Sequence, residues 1–160
     1  MLDRLKIIDL PAAMGAGLAG GAAYLLAMEA DLRLTGNQVD DLKLLGRPFV
    51  RNPARARAVG LLVHTLNATN LAVAYALLAH DRLTGPPWWR GVLFANVENA
   101  LLYPLTRLEN HHPGIRDGQI DRYWTRTAFL QSIVRHLAYG AVLGAAYARL
   151  RRRGSPALTR

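Results

Sequence analysis

The sequence predicts an all-α protein: a polytopic four-helix transmembrane bundle built from two tandem two-helix repeats. Three observations carry that expectation. First, residues 10–28 and 58–79 hold nineteen and twenty-two residues without a formal charge. At about 1.5 Å per helical residue, each is long enough to cross a hydrocarbon core of roughly 30 Å. A soluble surface helix alternates an apolar stripe with a charged face, and these two segments do not.

Second, the chain repeats. HTLNATNLAVAYALL from His64 returns as HLAYGAVLGAAYARL from His136, with six of fifteen aligned positions identical. They are His64/His136, Leu71/Leu143, Ala74/Ala146, Tyr75/Tyr147, Ala76/Ala148 and Leu78/Leu150. A shared Ala or Leu is common in any apolar helix, whereas a shared His and Tyr at fixed spacing is not. The preceding segments support the repeat more thinly, aligning Gly17 with Gly91, Arg33 with Arg107 and Leu34 with Leu108. Two spans per half give both halves the same orientation, the parallel-repeat arrangement.

Third, the positive charge sits where membrane proteins place it. The net charge is +9, and of the Lys and Arg residues only Arg135 falls inside an apolar span. Arg51, Arg55, Arg57 and the run Arg149, Arg151, Arg152, Arg153 flank the spans instead. This pattern suits anionic lipid headgroups. It lacks the basic recognition helix or interleaved aromatic platform that nucleic acid requires, so no nucleic-acid partner is expected.

Element by element, helix one is predicted over about residues 10–30, with Pro11 tolerated in its first turn. Gly17/Gly21 form a small-xxx-small pair that lets backbones approach in lipid. Residues 31–55 form a charged connector with a short amphipathic piece around 39–45. Helix two follows over about 57–80. The turn DRLTGPPWWR places Trp88 and Trp89 beside Arg90 as an interfacial anchor. Helix three is predicted over 88–107, interrupted by Glu98 and kinked near Pro104. After a polar connector over 109–121, Tyr123 and Trp124 form a second anchor leading into helix four, which Arg135 and His136 interrupt.

The whole chain, 1–160, is expected to form a single membrane domain. Repeat one covers about 8–80, repeat two about 86–150, and 151–160 form a basic mobile tail. The basic residues of the termini and short middle connector lie close to the spans, which favours cytoplasmic termini in an inner or plasma membrane. Without cysteine there are no disulfides, thiolate metal sites or cysteine nucleophiles. No phosphate-binding Gly loop and no Gly-x-Ser-x-Gly elbow occurs.

Polar groups inside spans are costly and point to function. The predicted intramembrane polar cluster comprises Glu29, Asn67, Asn70, Asn96, Glu98, Asn99 and Tyr139, with His64 and His136. Three readings compete for these groups. They can serve as interhelical hydrogen-bonding glue in a non-enzymatic packing, binding or accessory component, self-associating through its Gly seams. His64 and His136, brought to one depth by the repeat, can ligate haem b from opposite faces, Gly140 leaving room for the macrocycle. Glu98 can line a small proton or cation pathway. A further metal reading places Glu109 and His112, an E-x-x-H spacing, on one helical face, although Pro113 follows at once. Expected partners are the bilayer, its anionic headgroups, and a second copy or another membrane protein.

Overall fold

The computed structural model describes residues 8–154. Among them the chain is entirely helical, with no strand. The long helices are α1 (Leu10–Thr35), α3 (Pro53–Leu78), α4 (Pro87–Leu102) and α6 (Arg126–Gly154); α2 (Asp41–Gly46) and α5 (Pro113–Arg116) are short. A 3-10 segment, Tyr103–His111, continues α4. α1 and α3 are each long and apolar enough to cross a membrane.

Local chemistry sets the helix starts. The Asp9 carboxylate accepts from the Ala12 amide at 3.0 Å, with Pro11 in the first turn of α1. Asn52 accepts from Ala54 and Arg55 ahead of α3, whose first residue is Pro53. Asp40 does the same for Leu42 and Lys43 in α2, and the Thr125 hydroxyl for Ala128 in α6. Each side chain satisfies amides that a helix start leaves open. At the other end of α1, Gly36 adopts φ +68 and its amide closes on the Leu32 carbonyl.

Neighbouring long helices run antiparallel. α1 meets α3 at Gly17 with Ala68 and Ala72, and at Gly21 with His64. It meets α6 at Gly15 with Leu150, Gly20 with Tyr139, and Asp31 with Arg135. α4 lies on α6 through Gly91 with Gly140, Pro87 with Gly144, and Asn99 with Ser132. So α1 and α4 point one way, and α3 and α6 the other. α1 packs closely on α6, while α3 and α4 meet through side chains, the Tyr75 and Phe94 rings standing 5.5 Å apart. The packing is therefore not symmetric about a two-fold axis.

The glycine seams are internal. A Cβ on Gly91 would lie 2.0 Å from the Gly140 carbonyl oxygen, so only glycine permits this approach of α4 to α6. The expected self-association through the Gly seams is corrected accordingly: Gly17, Gly21, Gly140 and Gly144 all face helices of their own chain.

Several boundaries differ from expectation: α1 runs on to Thr35 and α3 starts at Pro53. α4 ends at Leu102, not Arg107, because Pro104 has no amide proton and the chain tightens into the 3-10 segment. α6 runs through Arg151 and Arg152 to Gly154, so the start of the expected mobile tail is helical; residues 155–160 lie outside the described residues. The amphipathic piece expected near 39–45 forms as α2, crossing α3 so closely that a Cβ on Gly60 would sit 1.8 Å from the Leu42 carbonyl oxygen.

The two long connectors meet at one end of the bundle. Val39, Ile120, Tyr123 and Ala128 form a small buried cluster, flanked by Leu44 and Ile115. Gln38 and Asp121 exchange hydrogen bonds, and Arg47 pairs with Asp117. This cap covers the ends of α1 and α6.

Side chains are distributed with large apolar groups outside and small or polar groups inside. The main core is Ala12, Ala13, Ala16, Ala68, Ala72, Ala76, Ala79 and Ala95, filled between by Tyr75, Tyr139, Leu143 and Tyr147. Arg135 and His64 are also buried. Leu18 and Leu26 of α1, Leu62 and Leu66 of α3, Leu101 of α4, and Leu130 and Val134 of α6 are all exposed.

Candidate functional site

Beneath the connector cap, Arg135 of α6 is only 1% exposed, the largest fully buried side chain among the described residues. Its guanidinium grips Asp31 of α1 with two bonds, Nε to Oδ2 at 2.7 Å and NH2 to Oδ1 at 2.6 Å. NH1 donates to Asp41 of α2 at 2.6 Å. The Tyr24 and Tyr123 hydroxyls donate to the two oxygens of Asp41 at 2.7 and 2.8 Å. Gln131 donates to Asp31 at 2.7 Å and accepts from Asn37 at 2.9 Å. One guanidinium faces two carboxylates, so this trio carries a net negative charge that the phenols and the amide help to disperse. The bidentate grip is the geometry that suits Arg and that Lys does not reproduce.

Tyr24 also links this cluster to the repeated histidines. Its ring lies between them, with centroids 5.1 Å from His64 and 5.2 Å from His136. His64 Nε2 donates to the Gly21 carbonyl at 3.2 Å, and His136 Nδ1 donates to the Ser132 carbonyl at 2.7 Å. The two imidazoles thus share a depth, but they do not form a haem site. His64 Nε2 is engaged by the Gly21 carbonyl, His136 holds the Ser132 carbonyl through Nδ1 with its Nε2 beside Glu98, and Gly140 is closed against Gly91. The haem b expectation for His64 and His136 is corrected on those grounds.

Beyond His136 lies Glu98 of α4, its Oε2 3.4 Å from His136 Nε2. That oxygen is buried and has no hydrogen-bond partner among the described residues. Because Nδ1 must carry a proton to reach the Ser132 carbonyl, Nε2 of a neutral imidazole is a bare lone pair. Two acceptors then face each other unless a second proton lies between them.

The remaining expected site residues separate into groups. Asn99 is buried and donates to the Ser132 hydroxyl at 3.2 Å, so it faces α6, as Glu98 does. Tyr139 donates to the Ala68 carbonyl at 2.7 Å and ties α6 to α3. Asn96 bonds back to the Val92 carbonyl of its own helix at 3.1 Å. Glu29 sits at the cap, paired with Arg57, which also reaches Asp40 at 3.0 Å. Asn67 and Asn70 are corrected outright: both point away from the bundle and are exposed.

The Glu109/His112 pair is also corrected. Glu109 Oε2 accepts from the Tyr123 and Trp124 amides at 2.6 and 2.9 Å. His112 donates from Nε2 to the Leu44 carbonyl at 2.9 Å and accepts on Nδ1 from Gly114 at 3.2 Å. Both side chains bind backbone, Glu109 within the second connector and His112 across to the first, and both ring nitrogens of His112 are engaged. No group of three metal-ligating side chains occurs among the described residues.

Asp31, Asp41 and Tyr24 were not singled out in the sequence. Arg135 is the one signal that pointed to them, since a charge inside a span requires an internal partner.

Residues 8–157 match the model of a family described as Family of unknown function (DUF6789). The chain belongs to this family. No curated protein and no solved structure matches it. The family's model spans both helix pairs and both connectors, so the Arg135 cluster and the histidine pair lie inside the matched region.

Proposed function

We propose that this chain is a four-span integral membrane protein that acts as a non-enzymatic packing or binding component of the bilayer. The observation that carries the reading is the inverted distribution of side chains. Exposed Leu, Val and Phe cover all four long helices, while Ala, Gly, Tyr and the Arg135 cluster fill the interior. A monomer in water would present several large apolar patches at once. In lipid, the same surface is ordinary and close packing of small residues supplies the association.

α4 and α6 are less apolar in sequence than α1 and α3, and the interior explains why. The charge in the middle of α6 is Arg135, which is buried against two carboxylates, while its other arginines stand at the helix ends. α4 is sixteen residues long, and the 3-10 segment extends it. The start of α1, the end of α6 and the 79–86 turn share one end of the bundle, which we place in the cytoplasm. Trp88 and Trp89 stand at that end beside Arg90. Extraction of membranes with alkaline carbonate tests the reading: the protein stays in the pellet if it is integral, and its release to the supernatant contradicts it.

A second reading rests on Glu98. Its buried, unpaired oxygen beside His136 Nε2 supports a protonatable site next to the His64–Tyr24–His136 line. In this reading the protein carries a small proton or cation pathway. Proton flux into proteoliposomes that falls severalfold in Glu98→Gln supports it; equal flux in the variant and in the native protein dismisses it.

A further inference from the structure

α3 presents two asparagines outward at the middle of its apolar stretch. Asn67 and Asn70 lie three residues apart on one exposed side, bordered by Leu62 at 62% and Leu66 at 54% exposure. Neither amide has a side-chain hydrogen bond to any described residue, unlike Asn37, Asn52, Asn96 and Asn99. Thr65 and Thr69 on the same helix satisfy their hydroxyls on carbonyls of α3 itself. The two amides therefore stand out on a Leu-covered helix, centred in residues 58–79 where the bilayer is driest.

We propose that the outer face of α3, centred on Asn67 and Asn70, is the interface with a second copy of this chain in the membrane; this rests on the membrane-spanning reading. The amide chemistry selects the occupant. A side-chain amide carries both an acceptor and donors, so it is complementary to another amide. A two-fold axis beside α3 sets each Asn face against its own copy, matching donors to acceptors without any charge to neutralise. Leu62 and Leu66 then pack beside the amides, as polar residues and apolar neighbours do in paired membrane helices. The Gly seams are consumed within the chain, and Leu62, Leu66, Asn67 and Asn70 are left exposed by the described residues.

The absence of cysteine makes the test direct. A single Leu66→Cys substitution keeps both amides and places one thiol in the proposed interface. Only a second copy brought to within disulfide distance can trap it on mild oxidation in native membranes. Leu26→Cys, on the exposed outer side of α1, serves as the collision control. The expected result is a dimer band for Leu66→Cys, at least fivefold stronger than for Leu26→Cys, that disappears when Asn67→Leu and Asn70→Leu are added. Equal trapping at both positions, no trapping at Leu66, or trapping that survives loss of both amides overturns the proposal. Capture of a different membrane protein in place of the dimer overturns it too. Carbonate extraction of the same membranes separates the two claims: protein retained in the pellet but untrapped sinks only the dimer, whereas protein in the supernatant sinks the membrane reading.

Discussion

Arg135 decides whether the connector end of the molecule holds together. Removing the guanidinium leaves the half-buried Asp31 and Asp41 with no counter-charge, and breaking a fully buried pair in this way costs about 3–5 kcal/mol, the upper bound here. Arg135→Gln is therefore expected to lower the thermal midpoint of the detergent-solubilised protein sharply. Adding Asp31→Asn and Asp41→Asn in the same background should recover part of the loss, since the excess negative charge goes with them. A second residue-scale expectation concerns His112, whose imidazole is held neutral between Leu44 and Gly114. Burial pushes its pKa below the ordinary 6.5, and the charge of Arg47 pushes the same way against the Leu44 hydrogen bond. A depressed histidine means that the unfolded chain binds the proton first. Its stabilisation is complete above about pH 6.5 and is lost as pH falls from there through the folded value. The protection of the Gly114 amide, relative to its intrinsic exchange rate at each pH, should fall over that window, and His112→Gln should abolish the dependence. The neighbouring phenol of Tyr123 is held far above its usual range by burial and by the Asp41 carboxylate, so it remains a donor throughout.

The helices could be read from the sequence where they obey local rules. α1 and α3 announce themselves through charge-free length, and α1 through Pro11 in its first turn; the Asn52 cap and Pro53 start of α3 fall in the stretch read as connector. α4 and α6 are less legible, because Glu98 and Arg135 interrupt them and only tertiary partners show these charges to be internal. Arg135 itself stood out as an interruption, but its acids lie 104 and 94 residues away in sequence, and no spacing rule links them. The histidine pair was readable from the repeat; the Tyr24 ring in contact with both was not, since α1 aligns only thinly with α4 and Glu98 stands at the matching position. The glycines permit a prediction at this scale. Gly140→Ala puts a methyl 2.4 Å from the Gly91 carbonyl oxygen and forces α4 off α6, so it should abolish the folded monomer's thermal transition or lower it severely. Gly36→Ala meets no atom within 4 Å and carries only the strain of φ +68, about 1–2 kcal/mol, a modest shift in the same measurement.

For the whole molecule, the helix directions, the inverted distribution of side chains and the paired connectors converge on one topology. With all four long helices spanning, both long connectors lie on one side of the membrane and the 79–86 turn on the other. Asn67 and Asn70 then face the bilayer interior, the setting the proposed dimer requires; without the membrane they are two ordinary surface amides. Single cysteines at Arg51, Thr84 and Arg122, all exposed connector positions in a cysteine-free chain, read this arrangement directly with a membrane-impermeant maleimide applied to intact and to inverted vesicles. The four-span account predicts that Arg51→Cys and Arg122→Cys label from the same side and Thr84→Cys from the opposite side. Labelling of Arg122→Cys together with Thr84→Cys would mean that only α1 and α3 cross, and would contradict it.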